Sequence, residues 1–255
     1  MPRQIRSFIE YGAALALLLV AWWYASGPMG MPKYLLPSPQ ATFSTLWKMM
    51  VDGSLWPHLW FTVHNIVMGL AIGAVAGIAL AYVLYKLPRL STLLDGPLVV
   101  LQTAPKIALA PLFVVWFGLG LAAKLVLIFS LVFFPVLIGA LAGFRGIDSR
   151  MHDLAVLLKL RPLQRFWQID IPAALPGIFV GLKIGAVQAL VGAVLAEWIS
   201  GSDGLGYLMT FAGATYKTPL LFAAVLLTSL LGIALHAGLT AIESRVLAWK
   251  VQDGR

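Results

Sequence analysis

Cysteine is absent from this 255-residue chain, and charge is scarce: 11% of residues are Asp, Glu, Lys or Arg, against 60% hydrophobic. Without cysteine there is no disulfide framework, no thiolate-held zinc or iron–sulfur cluster and no thiol nucleophile. A soluble domain carries roughly 25% charged residues and roughly 45–50% apolar ones. The composition therefore excludes a soluble enzyme, a disordered chain and a secreted scaffold. The phosphate-cradling pattern G-x-x-x-x-G-K-[ST] is missing, so the chain does not hydrolyse ATP by that route. Metal spacing such as H-E-x-x-H is missing too, and His58, His64, His152 and His236 fall in separate segments. No G-x-S-x-G nucleophile elbow occurs. The expectation is no catalytic set, no metal and no cofactor. The carboxylates lie mostly in loops or at the ends of apolar runs, with no i, i+4 pair inside a run. There is no clear internal repeat. Both facts argue against the alternative of a stand-alone secondary carrier or channel, and the missing catalytic cluster argues against a membrane enzyme.

What is present is apolar sequence in lengths suited to a bilayer. About 20 apolar residues cross its hydrocarbon core as a helix. Such runs fall at about 8–26, 59–85, 97–119, 122–144, 173–200 and 220–242. The reading is an all-α, polytopic membrane protein with six transmembrane helices, organised as one domain over residues 1–255. The third run is broken by Pro105, Lys106 and Pro111, because proline kinks a helix and frees a carbonyl. The net charge of +8 is assigned to inner loops rather than to nucleic-acid binding. With the N-terminus inside, inner segments hold Arg3, Arg6, Lys86, Arg89, Arg145, Arg150, Lys159, Arg161, Arg165, Arg245, Lys250 and Arg255. Outer segments hold Lys33, Lys48, Lys217 and, at a helix mouth, Lys124. That bias predicts N-in, C-in topology. Arg3 and Arg6 before the Ala13–Ala21 run resemble a signal peptide, but Trp22, Trp23 and Tyr24 occupy the place where cleavage wants small residues.

Two connections are long. The outer one, about 27–57, contains Pro37-Ser38-Pro39, which predicts an extended piece and then a helix over 40–51 with Ser38 as N-cap. The helix carries Phe43, Leu46, Trp47 and Met50 on one side. The inner one, about 145–172, predicts a helix capped by Asp148 or Ser149, broken at Arg161-Pro162, and a second helix ending near Ile169. Met151, Leu154, Ala155, Leu157 and Leu158 give the first an apolar side. Two readings fit: an amphipathic hairpin on the inner leaflet, or a surface that docks into a soluble partner's groove.

Polar groups inside the runs are functional candidates because burying them in lipid is costly. Lys106 faces an aqueous path or satisfies carbonyls freed by the prolines. Lys183 snorkels to the interface. Gln102 and Gln188 bond a passing solute or a neighbouring helix. Glu197 anchors a gate or bonds the Gly204–Gly206 turn, and His64-Asn65 read as interhelical contacts. Gly69, Gly73 and Gly77 make a close-packing face; Gly181, Gly185 and Gly192 suit packing or pathway.

The inner loop resembles E-A-A-x3-G-x9-I-x-L-P, the loop of inner-membrane permeases of binding-protein-dependent ABC importers. The matching residues are Asp153-Leu154-Ala155, Lys159 at the glycine, and Ile169-Asp170-Ile171-Pro172. Further segments are similar to the nitrate/sulfonate/taurine branch, which includes thiamine-precursor and riboflavin-type importers. They are Leu36-Pro37-Ser38-Pro39, Pro105-Lys106-Ile107-Ala108-Leu109-Ala110-Pro111-Leu112, Trp116-Phe117-Gly118-Leu119-Gly120, Phe133-Phe134-Pro135, Ala173-Ala174-Leu175-Pro176-Gly177 and Ala196-Glu197 before Gly204-Leu205-Gly206. The resemblance implies the type I ABC importer permease fold in a bacterial inner membrane. It implies two copies of an ATPase subunit, a second permease chain in a homodimer, and an extracytoplasmic solute-binding protein. It assigns ATPase coupling to Asp153, Leu154, Ala155, Lys159, Arg161, Pro162 and Pro172, with Asp153 capping or orienting the first loop helix. The solute path or gate falls to Gln102, Lys106, Gln188 and Glu197. Lys159, Arg161 and Arg165 are expected to pair with ATPase carboxylates or anionic lipid. Lys159 disfavours the left-handed turn that glycine allows, so the bend is expected to move toward Arg161-Pro162.

Overall fold

Proline and glycine punctuate a chain that is otherwise helical. A computed structural model describes residues 3–249, and no strand occurs among them. In chain order the helices are α1 (Arg3–Ser26), α2 (Pro39–Val51), α3 (Leu55–Lys86), α4 (Pro88–Thr103), α5 (Ala110–Phe117), α6 (Leu121–Arg145), α7 (Ser149–Leu157), α8 (Pro162–Arg165), α9 (Ile171–Ser200), α10 (Leu205–Ala214) and α11 (Thr218–Val246). A π-turn, Phe166–Asp170, joins α8 to α9. Of the inner cations, Lys250 and Arg255 lie outside the described residues, as do the side chains of Arg3 and Arg6.

Four helical runs among the described residues are long and apolar enough to span a bilayer: Leu55–Lys86, Leu121–Arg145, Pro162–Ile199 and Thr218–Val246. The apolar part of α1, Ala16–Ser26, is shorter. The third expected run is not one helix. It is α4, an irregular stretch over 104–109, and α5. Pro105 lacks an N–H and restricts the residue before it, so the helix stops at Thr103.

The inner loop corrects a second expectation. Its latter half does not form a separate short helix; α8, the π-turn and α9 are continuous. The reason lies at Pro172. Its ring cannot donate to, and clashes with, the carbonyl four residues back. The helix widens there, and the Ile171 N–H reaches back five residues to the Phe166 carbonyl.

The core lies where α6 is held between α3 and α9. Ile66, Ile128, Val132, Val136, Ala189 and Ala193 are buried together. Lipid is as apolar as these side chains, so close packing rather than water exclusion holds such helices together. Glycine makes that packing possible. A Cβ on Gly139 would stand 2.7 Å from the Gly177 carbonyl oxygen, and one on Gly73 2.6 Å from Val132. Gly69, Gly73 and Gly77 pack on α6, as their spacing predicts. Gly181, Gly185 and Gly192 also press against α6.

The outer segment forms as expected at its start. Ser38 Oγ accepts the Ala41 N–H at 3.2 Å, with Pro39 opening α2. The Trp22 indole donates to the Pro37 carbonyl at 2.9 Å and packs against Phe43 and Phe222, tying α1 to α2 and α11.

Candidate functional site

The break in the third run opens a cavity of about 520 Å³ between the 102–106 segment, α6 and α9. It brings together Gln102, Lys106 and Gln188, three of the four expected path residues. Its walls are Leu131, Phe134, Pro135, Ile138, Gly139 and Ala142 from α6 and Val180, Gly181 and Ile184 from α9. Lys106 lines this cavity and satisfies a freed carbonyl. Its ammonium lies on the cavity wall and donates to the Gln102 carbonyl at 2.5 Å, a group left open where α4 ends. It also sits 4.8 Å above the Phe134 ring. Among the described residues, Lys106 is the one charged residue lining this cavity. The arrangement presents a positive charge and two amides against an apolar wall.

Glu197 is elsewhere. It is fully buried near the end of α9 and accepts Thr62 Oγ1 at 3.0 Å, Asn65 Nδ2 at 3.3 Å and the Gly206 N–H at 2.9 Å. Leu205 N–H closes the set on Thr62 Oγ1 at 2.8 Å, and Gly204 N–H donates to His58 Nδ1 at 3.1 Å. Gly204 has φ +109°, and a Cβ there would overlap the Glu197 carboxylate at 2.2 Å. Thus Glu197 fastens the 204–206 turn, and Asn65 is the interhelical contact its position suggests. Lys124 stands at a helix mouth, in the first turn of α6, but is buried there. It is 5% exposed with its ammonium 4.5 Å above the Phe61 ring. Lys183 does not snorkel freely but ion-pairs with Glu243 on α11.

At the other end of the bundle, Asp148 caps α7 by accepting the Arg150 N–H at 2.9 Å. That bond holds its carboxyl below the usual carboxylate range. Asp153, expected to cap or orient this helix, does not cap it; it lies exposed midway along α7. Leu154 and Met151 are exposed, with Val156 and Leu157 more so, while Ala155 is buried. The turn corrects the expectation for Lys159. It takes φ +50°. Its N–H bonds the Val156 carbonyl at 3.0 Å and the Leu160 N–H bonds the Ala155 carbonyl at 3.1 Å. This is the Schellman closure usually given to glycine, so the bend stays at 159. Arg161 and Pro162 then start α8, with the Arg161 N–H on Gln164 Oε1 at 2.9 Å. Arg165 turns inward to Asp170 at 3.4 Å instead of standing free for a partner.

Residues 69–248 match the family model described as the inner-membrane component of binding-protein-dependent transport systems. The chain belongs to that family. A probable ABC transporter permease of Haemophilus influenzae is 35% identical, covering 93% of this chain and 96% of its own length. The formylaminopyrimidine transport permease ThiX of Halalkalibacterium halodurans is 32% identical over 92% and 93%. The putative aliphatic sulfonates transport permease SsuC of Bacillus subtilis is 30% identical over 94% and 87%. The protein is therefore the membrane-embedded permease subunit of an ABC importer, a multi-pass inner-membrane protein whose ATPase is a separate subunit. It works with that ATPase and with a solute-binding protein.

Within this permease, the loop joins α6 to α9, the two long helices that wall the cavity. The largest element missed in the sequence is a charged knot beneath the loop. Asp170 is fully buried and accepts Lys86 Nζ at 2.7 Å and Tyr82 OH at 3.1 Å. A carboxylate one residue before the Ile171-Pro172 pair was the available signal. These two partners lie on α3, more than 80 residues earlier, and no local spacing points to them.

Proposed function

We propose that this permease crosses the inner membrane six times with both termini in the cytoplasm. It acts as a single domain over residues 1–255 and pairs with a second copy of itself on two ATPase subunits. In this reading α1 and the broken α4–α5 unit supply the two spans beyond the four long apolar runs. The loop at 145–172 faces the cytoplasm and docks into the ATPase through Asp153, Leu154, Ala155, Lys159, Arg161 and Pro162, with Pro172 setting the joint behind it. The observation that carries the reading is the apolar face of α7. Leu157 is 79% exposed and Val156 71%, on a helix locked by a cap at one end and a Schellman turn at the other. A short, preorganised apolar helix at the end of a membrane bundle suits a groove in a soluble partner.

The cavity lined by Gln102, Lys106 and Gln188 lies on the solute path, and the Glu197 latch shapes the external end. ATP-driven closure of the ATPases shifts the paired bundles between inward- and outward-open states. The cargo is a small solute delivered by the binding protein: a sulfonate- or taurine-like anion or a vitamin precursor. Lys106 and the two amides favour a cargo with an anionic or acceptor-rich end and an apolar body.

Co-expression with the cognate ATPase tests the assignment. The permease should carry the ATPase through purification. Asp153→Lys combined with Ala155→Trp should leave the chain in the membrane while uncoupling hydrolysis from uptake. Normal uptake by that variant removes the docking assignment, and uptake by the chain alone in ATP-free vesicles removes the permease reading.

A further inference from the structure

The coupling loop must not only meet an ATPase; its displacement must reach the spans, and a knot of buried charge and aromatic rings stands at that junction. Asp170 is the centre. It sits in the π-turn, at the root of α9, with no exposed surface. One oxygen receives Lys86 Nζ at 2.7 Å and Tyr82 OH at 3.1 Å, both from the last turns of α3. The other receives Arg165 Nε at 3.4 Å from α8. Lys86 is also held 4.9 Å above the Tyr85 ring. Tyr85 in turn hydrogen-bonds His152 Nε2 of α7 at 2.8 Å and stacks on the buried Phe144 of α6. One carboxylate thus joins α3, α8 and the root of α9, and Tyr85 beside it links α7 and α6.

The π-turn explains how Asp170 reaches that position. An extra residue in one turn rotates what precedes it by about 100° relative to an unbroken helix. Pro172 forces the extra residue, and the shift aims Asp170 at α3. Charged contacts of this kind switch between discrete arrangements rather than stretching. A buried carboxylate also cannot shed its donors without replacing them.

We propose that Asp170 is a positioning residue of the transport cycle: through Lys86, Tyr82 and Arg165 it transmits displacement of the coupling loop to α3 and α9. This inference rests on the docking reading given above. It makes a distinct prediction, because the knot touches neither the exposed face of α7 nor the cavity. Its loss should leave ATPase docking and hydrolysis in place and remove the membrane response.

The absence of cysteine makes the test clean. Ile184→Cys places one thiol on the cavity wall in the full permease–ATPase complex, reconstituted in inverted vesicles. The readout is its reaction rate with a membrane-impermeant maleimide, with and without vanadate-trapped MgATP. In the otherwise unchanged chain the rate should change by at least about fivefold on trapping. With Asp170→Asn the ATPase should still co-purify and hydrolyse, while the rate change falls to within about twofold. Asp170→Glu should restore part of the response, and Tyr85→Phe, which keeps the ring and removes the hydroxyl that meets His152 and Arg165, should give a partial loss. A full accessibility change in Asp170→Asn overturns the proposal. So does loss of ATPase binding in both Asp170→Asn and Tyr85→Phe, which would make the knot a scaffold for the loop alone. If the chain with native Asp170 fails to retain any ATPase, the docking reading fails instead, and the two failures are told apart.

Discussion

Lys159 occupies a backbone conformation that side chains avoid, and two hydrogen bonds keep it there. The left-handed region costs a residue with a Cβ about 1–2 kcal/mol, while glycine loses more freedom on folding. Lys159→Gly should therefore stabilise the loop by a net ~0.5–1 kcal/mol, read as a rise in the unfolding midpoint of the purified chain. Tyr216 takes the same conformation after α10, closing an equivalent turn on Gly213 and Ala212. At Glu197 the chemistry runs the other way. Both carboxylate oxygens accept donors. Glu197→Gln puts an amide donor against a donor and should destabilise the 204–206 turn by about 1–3 kcal/mol, visible as faster amide exchange at Leu205 and Gly206.

Among the elements, α7 depends for part of its stability on an exposed titrating group. Asp148 lies below the usual carboxylate range because its ionised form accepts the Arg150 N–H. A depressed folded-state value means that the contribution is complete above the unfolded carboxylate value. It is lost as pH falls through the folded one. Amide protection across 150–157 should therefore fall on acidification, and Asp148→Asn, an amide that still caps, should flatten that dependence. The opposite design holds α6 and α9 together. Their glycines put backbone against backbone, so Gly139→Leu should prevent native packing rather than weaken one contact. A sharply lower yield of folded chain in detergent checks this.

At the scale of the molecule, charge is distributed by depth. At the loop end Lys86 and Arg165 gather around Asp170, while among the described residues the cavity is lined by Lys106 as its one charge. A positive charge inside a low-dielectric cleft concentrates anions. In an Ile184→Cys chain, an anionic thiosulfonate should outpace a cationic one of similar size by about tenfold. Lys106→Gln should bring the ratio toward unity. Equal ratios in both chains would remove Lys106 from the accessible surface of the path.

Four apolar runs of bilayer length, the Ser38 and Asp148 caps and the permease loop pattern were legible in the sequence. Each depends on residues within a few positions of one another, or on composition. Tertiary structure decided the rest. By single-residue propensity Lys159 is too costly for its turn, yet the Val156 and Ala155 carbonyls close that turn on the Lys159 and Leu160 N–H groups. Arg165 reads as available to a partner in the sequence, and only the fold shows that it turns onto the buried Asp170. Gln102, Lys106 and Gln188 were legible as polar residues in apolar runs. Their meeting in one cavity, and Glu197's separation from it, follow from how α6 sits between α3 and α9. Sequence fixes where a chain is costly to bury; only the packed bundle fixes which partner relieves that cost.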